Sequence, residues 1–109
     1  DALPIYYIKE AIHYIEQNFQ NDISIEEIAR VCGINRSYFG KIFRKSIGKS
    51  PQEFLMNYRM IKATELLSLT SLSISEISQA VGYDNPLHFS RAFKNVYGIS
   101  PRTWRKENK

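Results

Sequence analysis

The sequence predicts an all-α protein of about seven helices, in which two helix-turn-helix units are joined by one long helix. Two observations favour this fold: apolar residues recur at helical spacing, and the chain contains an internal repeat whose copies each carry two helices and a turn. The composition, with 43% hydrophobic and 24% charged residues, supports a packed core and excludes a disordered tail. A length of 109 residues fits one ordinary domain or two very small ones and leaves no room for a second, catalytic domain.

The internal repeat has an offset close to half the length of the chain. ISIEEIARVCGI at 23–34 aligns with LSISEISQAVGY at 72–83, with five identical positions. After one inserted residue, Asp84, SYFGKIFRKSIGKSP at 37–51 aligns with LHFSRAFKNVYGISP at 87–101. The two copies therefore predict two similar structural units.

The first helix of each pair begins at a capping signal. Ser24 with Glu27, and Ser73 with Glu76, have the spacing of a capping box, in which the Ser side chain accepts from the N3 amide and the Glu side chain accepts from the cap amide. Apolar residues at helical spacing follow each signal. We therefore expect a helix to start at each serine.

The turn and the second helix follow a glycine in each copy. Gly33 and Gly82 permit the left-handed conformation that ends a helix. Asn35 and Asn85 then stand where an N-cap is wanted, and Pro86 takes the first helical position of the second copy. We expect the second helices to end near residues 46 and 96.

The second helices each carry two phenylalanines four residues apart, which predict a buried face. These are Phe39 and Phe43 in the first copy, and Phe89 and Phe93 in the second. The opposite face is then fixed by helix geometry. It carries Arg36, Ser37, Gly40, Lys41 and Arg44 in the first copy, and Leu87, His88, Ser90, Arg91 and Lys94 in the second.

Two further helices complete the prediction. A first helix over about 5–19 has an apolar stripe at Ile5, Ile8, Ile12, Ile15 and Phe19 and is expected to pack on the first unit. A helix opening at Ser50 and Pro51 runs to the Ser/Thr cluster at 68–73, and its about 25 Å suits a spacer between successive major-groove turns. The predicted division is 1–49 for the first unit with its N-terminal helix, 50–69 for the linker helix and 70–109 for the second unit.

The charge pattern follows the repeat. The formal charge of +4 hides a net charge of −4 over 1–32, +5 over 33–49, −2 over 50–85 and +5 over 86–109. Both basic segments fall at the same place in the repeated unit, which favours an anionic partner over two merely solvated faces.

The outward residues have the chemistry of DNA recognition. Lys41 and Arg91 can meet guanine or phosphate, Ser37 and Ser90 allow close contact, and Leu87 suits a thymine methyl group. Gly40 and Ser90 are small where a better helix former would be expected, which suits the close approach of another surface.

The segments GYDNPLHFSRAFKNVYGISPRTWR at 82–105 and YRMIKATELL at 58–67 resemble the DNA-binding domain of the AraC/XylS family of bacterial transcription regulators, and the resemblance covers nearly the whole chain. It implies two homeodomain-like helix-turn-helix units whose recognition helices, here about 36–46 and 86–96, enter adjacent major grooves. The positions it implies for base reading are Ser37, Gly40, Lys41, Leu87, His88, Ser90 and Arg91, and Arg36 on the same outward face is a further base-reading candidate. Those it implies for phosphate contacts are Arg44, Lys45, Arg59 and Lys94, and Arg102 of the basic tail is a further phosphate candidate.

Several side chains have two competing interpretations. His88 either touches DNA or is an ordinary exposed histidine, and Arg59 either contacts phosphate or forms an ion pair with Glu53 or Glu65. The basic tail, Arg102, Arg105, Lys106 and Lys109, either meets phosphate or is solvated. Cys32 is expected to be a buried small apolar residue, and Trp104, which aligns with Phe54, is expected in the core.

The sequence offers no support for an enzyme, a metal site or a cofactor. It contains no paired carboxylates, no nucleophile with a base and no glycine-rich phosphate loop, and its two histidines are isolated. No apolar run is long enough to cross a bilayer, and the single cysteine is typical of an intracellular protein, so we expect a bacterial cytoplasmic location and no membrane role. Because the chain begins at Asp1, we expect it to be a fragment of a longer protein.

The leading hypothesis is sequence-specific binding of double-stranded DNA by the output module of a transcription regulator. The family resemblance implies an activator, RNA polymerase as a second partner, and an upstream domain for effector binding and dimerisation. The alternative is a helical protein-interaction module that binds an acidic protein. The two differ in whether a DNA complex forms at moderate salt.

Overall fold

The computed structural model describes residues 3–108, which form seven α-helices and no strand. They are α1 (Leu3–Asn18), α2 (Ile25–Cys32), α3 (Arg36–Ile47), α4 (Pro51–Leu69), α5 (Ile74–Ala80), α6 (Pro86–Tyr97) and α7 (Pro101–Asn108). The predicted all-α class is confirmed. Within the described residues, no helix has the length and apolar character needed to span a bilayer.

The described chain forms two compact units. Unit 1 comprises residues 3–19 and 23–56, and unit 2 comprises residues 20–22 and 57–108. Helix α4 is continuous and belongs to both units, since its residues up to Met56 lie in unit 1 and the following ones in unit 2. The 19 residues of α4 make it about 28 Å long, slightly longer than expected.

The core of unit 1 forms where α1 packs on α2 and α3. Phe39 and Phe43 of α3 are fully buried, as predicted, with ring centroids 5.6 Å apart. The apolar stripe predicted for α1 is wrong at its first position, because Ile5 is 58% exposed. The buried residues of α1 are Ile8, Ala11 and Ile15.

The start of α2 differs from the predicted capping box. The Ser24 hydroxyl accepts from the Glu27 amide at 3.0 Å, as expected. The Glu27 carboxylate, however, accepts a hydrogen bond from the Tyr14 hydroxyl of α1. Because a tyrosine on a neighbouring helix competes for this carboxylate, only half of the predicted box is present and Glu27 links α1 to α2.

The core of unit 2 repeats the aromatic arrangement of unit 1. Phe89 and Phe93 are fully buried, and the Phe93 ring meets Trp104 of α7 in an edge contact at 6.3 Å. Phe43 and Phe54 make the equivalent contact at 5.4 Å in unit 1. Trp104 therefore packs on the core as expected, although it is half-buried.

Unit 2 contains the complete capping box that the sequence predicts. The Ser73 hydroxyl accepts from the Glu76 amide at 3.0 Å, and the Glu76 carboxylate accepts from the Ser73 amide at 3.0 Å. A second capping box, which the sequence analysis missed, starts α4, where Ser50 and Glu53 exchange the same two hydrogen bonds at 3.1 and 3.2 Å. Its spacing, Ser-x-x-Glu, was visible in the sequence.

Candidate nucleic-acid interface

Helix α3 is capped at both ends. The Asn35 side chain accepts from the Tyr38 amide at 2.9 Å, which makes it the predicted N-cap. The helix ends at Gly48, whose φ of 86° is left-handed and whose amide donates to the Arg44 carbonyl. With its phenylalanines buried, α3 turns to solvent the side chains of Arg36, Ser37, Lys41 and Arg44.

Helix α6 has the same construction. The Asn85 side chain accepts from the Leu87 amide at 2.8 Å, with Pro86 at the first helical position. Gly98, with a φ of 82°, ends the helix. The outward residues that the sequence predicted are exposed, except for the half-buried Ser90: they are Leu87, His88, Arg91 and Lys94.

Small residues leave space on both outward faces. A Cβ atom added at Gly40 would meet no heavy atom within 4 Å, so the core of unit 1 does not require a glycine there. Gly40 and Ser90 are aligned in the repeat and both are half-buried. A small residue at this position in each copy allows another surface to approach the helix backbone.

The exposed cations differ in whether a carboxylate neutralises them. Arg36 is paired with Glu26 at 3.1 Å and Arg44 with Glu53 at 3.2 Å. The other predicted cations of the two helices form no ion pair with any residue in 3–108: Lys41, Lys45, Arg91 and Lys94. Arg102, on α7, is also exposed and unpaired within this range.

Arg59 lies in a different environment from the other predicted phosphate residues. Its guanidinium donates to the Asn21 carbonyl at 2.9 Å and lies 5.8 Å from the centroid of the Tyr83 ring. Burial lowers the pKa of Arg59, although the side chain stays charged at neutral pH. The two carboxylates that the sequence suggests as ion-pair partners of Arg59 are paired with other cations, since Glu53 binds Arg44 and Glu65 binds Lys62. These contacts indicate a structural role for Arg59 within unit 2.

Comparison with known proteins identifies the family. A model described as "Helix-turn-helix domain", of the AraC/XylS type, matches residues 12–107. The chain belongs to the AraC/XylS-type family of helix-turn-helix DNA-binding domains. It is 42% identical over 98 residues to the lactose operon transcription activator of Staphylococcus xylosus, covering 90% of this chain and 35% of that protein. It is 40% identical over 101 residues to the Msm operon regulatory protein of Streptococcus mutans, covering 93% of this chain and 36% of that protein.

Solved structures of other proteins share this fold. The C-terminal domain of AraT, a response regulator from Geobacillus stearothermophilus, matches with a TM-score of 0.90 and 35% identity, over 93% of this chain and 84% of that one. The DNA-binding domain of AdpA, solved in complex with a target DNA, matches with a TM-score of 0.88 at 23% identity, over 92% of this chain and 90% of that one. The chain spans about a third of the length of the two curated relatives above.

Arg105 of this AraC/XylS-type domain has a role that the sequence analysis did not predict. Its guanidinium donates to the carbonyls of Leu67, Thr70 and Leu72 at 3.0, 3.3 and 2.7 Å. The interpretation of Arg105 as a solvated tail residue is therefore wrong, because three of its N–H groups are bound at the end of α4 and in the loop that follows, while a phosphate contact by Arg105 stays a prediction. Lys106 is exposed, and Lys109 lies outside the described residues.

The turn of the second helix-turn-helix is also held by a buried polar residue. Ser78 of α5 is 1% exposed, and its hydroxyl donates to the Tyr83 carbonyl at 2.9 Å. The aligned residue in the first copy is Ala29. The turn that needs this hydrogen bond is the one with the inserted Asp84, so the serine accompanies the longer turn.

The remaining chemically reactive side chains are two histidines and one cysteine. His13 and His88 are both exposed, and no cluster of three or more metal-ligating side chains occurs within residues 3–108. Cys32 is half-buried, its thiol donates to the Tyr7 carbonyl at 3.6 Å, and burial raises the pKa of the thiol. A raised pKa leaves little reactive thiolate at neutral pH.

Proposed function

We propose that this chain binds double-stranded DNA sequence-specifically, as the output module of a bacterial transcription regulator. The observation that carries the proposal is the construction of α3 and α6. Each helix buries two phenylalanines and turns basic and small residues outward, and neither helix contains an acidic residue. A helix of this kind can enter the major groove, where cations reach phosphates and base edges.

The two recognition helices are proposed to enter adjacent major grooves. The tandem repeat supports this arrangement, because each copy carries basic residues and a small residue on its outward face and a single continuous helix connects the copies. Copies arranged in tandem, rather than about a dyad, read two different half-sites, so the target site need not be palindromic. With about six phosphate contacts, log affinity should fall against log salt with a slope near −5.

Specific roles follow from the exposed side chains of α6. Arg91 is proposed to read a base edge, Leu87 to contact a thymine methyl group, and Lys94 to bind phosphate. In α3, Lys41 is proposed to take the role of Arg91, with Ser37 and Gly40 permitting close contact.

The names of the relatives support a wider proposal for the full-length protein. The Staphylococcus xylosus relative is a transcription activator, which favours activation, with RNA polymerase as the second partner. The curated relatives are about three times as long as this chain. We therefore place effector binding and dimerisation in a further domain of the protein, and its site of action in the bacterial cytoplasm.

The test begins with selection of bound sequences from a random pool of duplex DNA, followed by footprinting on the selected site. Two-groove engagement predicts a footprint of about two helical turns. A footprint of one turn would refute it, and the absence of any DNA complex at moderate salt would favour the acidic-protein alternative.

The roles of two residues on α6 are then separated with Arg91→Ala and Lys94→Ala. Arg91→Ala should cost about 1–3 kcal/mol on the selected site and relax the preference at one base pair. Lys94→Ala should weaken binding to all sequences by a similar factor and reduce the salt slope by about 1. Uniform loss across sequences for both variants would contradict the assignment of Arg91 to a base.

A further inference from the structure

The two units differ in how many of their outward cations are already neutralised. In unit 1, Arg44 of α3 is bound to Glu53 of α4, and both side chains are more than half exposed. The repeat aligns Arg44 with Lys94 and Glu53 with Thr103. Unit 2 therefore has a cation at the same position but no carboxylate to hold it.

The second ion pair of unit 1 shows the same difference. Arg36 at the start of α3 binds Glu26 of α2 at 3.1 Å. The aligned residues in unit 2 are Pro86 and Ser75, which carry no charge. Both ion pairs on the outward face of unit 1 are thus absent from its copy.

The geometry around Glu53 fixes the position of its carboxylate. The atom Oε1 that binds Arg44 also accepts from the Ser50 amide at 3.2 Å, while the Glu53 amide donates to the Ser50 hydroxyl. Hydrogen bonds from the Ser50 amide keep the pKa of Glu53 below its usual range, so the carboxylate is ionised at neutral pH. Glu53 is therefore a fixed anion, whereas Arg44 is a long side chain that can turn toward it or away from it.

We propose that Glu53 sets the DNA affinity of unit 1 by competing with DNA phosphate for Arg44. Arg44 must leave a carboxylate before it binds phosphate, whereas Lys94 in unit 2 has no such partner to leave. Unit 2 therefore supplies the larger share of the sequence-independent affinity. Glu26 acts in the same way on Arg36. This inference rests on the proposed function, because it assumes that the chain binds DNA.

The expected size of the effect follows from the exposure of the pair. An exposed ion pair shifts an equilibrium by about two- to fivefold. Glu53→Gln should therefore tighten DNA binding about two- to fivefold. If Arg44 then makes one additional phosphate contact, the slope of log affinity against log salt should become more negative by up to about 0.9.

A matched control exists in unit 2. Glu53 and Glu76 each occupy the N3 position of a capping box whose N-cap residue is a serine. Glu76, however, has no cation partner among the described residues. Glutamine preserves the hydrogen bonds of a capping box, so Glu53→Gln and Glu76→Gln each remove one negative charge while keeping the helix start. Any difference between the two variants reports the ion pair rather than the net charge.

The experiment measures DNA affinity at several salt concentrations for the wild type, Glu53→Gln, Glu76→Gln, Arg44→Gln and the double variant with Glu53→Gln and Arg44→Gln. Circular dichroism of each variant checks that it is folded. The proposal expects Glu53→Gln to bind more tightly than Glu76→Gln, and expects that gain to vanish in the Arg44→Gln background.

Three results would overturn the proposal. Equal gains for Glu53→Gln and Glu76→Gln would assign the effect to net charge, and a gain that persists without Arg44 would exclude the pair as its source. Weaker binding by folded Glu53→Gln would show that Glu53 orients Arg44 onto DNA instead of competing for it. If the wild-type chain bound no DNA, the proposed function itself would fail, which is a distinct outcome.

Discussion

The guanidinium of Arg105 is expected to contribute more to the stability of unit 2 than any other basic side chain of α7. The change to make is Arg105→Met, which keeps a long apolar stem and removes all the donors. Three carbonyls, those of Leu67, Thr70 and Leu72, lose their partner. Two of these hydrogen bonds are 3.0 Å or shorter, and the third is 3.3 Å.

The magnitude follows from the number of hydrogen bonds and the exposure of the site. A hydrogen bond from a charged group contributes about 1.5–3 kcal/mol. Arg105 is half-buried, so water can replace part of what is lost and the three contributions do not add fully. We expect Arg105→Met to lower the free energy of unfolding of unit 2 by about 2–3 kcal/mol. Lysine can satisfy fewer carbonyls at once, so the free energy of unfolding of Arg105→Lys should lie between that of Arg105→Met and that of the wild type.

The assay uses the single tryptophan of the chain. Trp104 lies in unit 2 and contacts Phe93 and Tyr97, so its fluorescence follows the unfolding of that unit. With a denaturant slope near 1.5 kcal/mol/M, the urea midpoint should fall by about 1.3–2 M. Arg102→Met is the control, because Arg102 lies on the same helix and is exposed, and it should change stability by less than about 0.5 kcal/mol. Equal midpoints for Arg105→Met and Arg102→Met would refute the role assigned to Arg105.

Two further predictions concern a helix interior and a helix start. Gly40→Ala should stabilise unit 1 by about 0.5–1 kcal/mol, because alanine is the better helix former and its Cβ meets nothing within 4 Å; thermal unfolding followed by circular dichroism measures this, and an unchanged or lower midpoint would contradict it. Glu76→Gln should make the stability of unit 2 less dependent on pH. Hydrogen bonds from the Ser73 amide and hydroxyl lower the pKa of Glu76, so its contribution is present above the unfolded value of about 4.3 and is lost as the pH falls through the folded pKa. The urea midpoint should therefore fall by more between pH 7 and pH 3 for the wild type than for Glu76→Gln. An equal fall for both proteins would argue against this linkage.

Features that depend on neighbouring residues were predictable from the sequence. The two asparagine N-caps and the phenylalanine pairs of α3 and α6 are where their spacing places them. The repeat strengthened each of these predictions, because a signal that occurs twice at the same register is unlikely to arise by chance. The same reasoning would have found the capping box at Ser50, which has the spacing already recognised at Ser73.

Features that depend on distant parts of the chain were not predictable. Arg105 binds carbonyls 33 to 38 residues away, and every residue offers a carbonyl, so no side-chain pattern marks the partner. Arg59 bonds to the Asn21 carbonyl for the same reason. Tyr14 takes the Glu27 carboxylate only because α1 packs beside α2. In each case the hydrogen-bond partner is determined by tertiary packing and not by neighbouring residues in the sequence.

The candidate site divides in the same way. The sequence correctly placed the outward residues of α3 and α6, since burying the phenylalanines leaves only one face for them. It did not predict that Arg36 and Arg44 would be ion-paired, because Glu26 and Glu53 lie on other helices whose angle to α3 is set by the turns. The roles of these side chains toward DNA stay predictions from the family resemblance and from their chemistry.

The shared phenylalanine pair has a consequence for how the two copies diverge. Both pairs are fully buried, while the outward residues differ between α3 and α6 at every aligned position. Exchanging the outward residues of one helix for those of the other would therefore leave both cores intact. The scaffold separates the residues that hold a helix in place from those that select a ligand, so one copy can acquire a new target through point mutation while the other keeps its own.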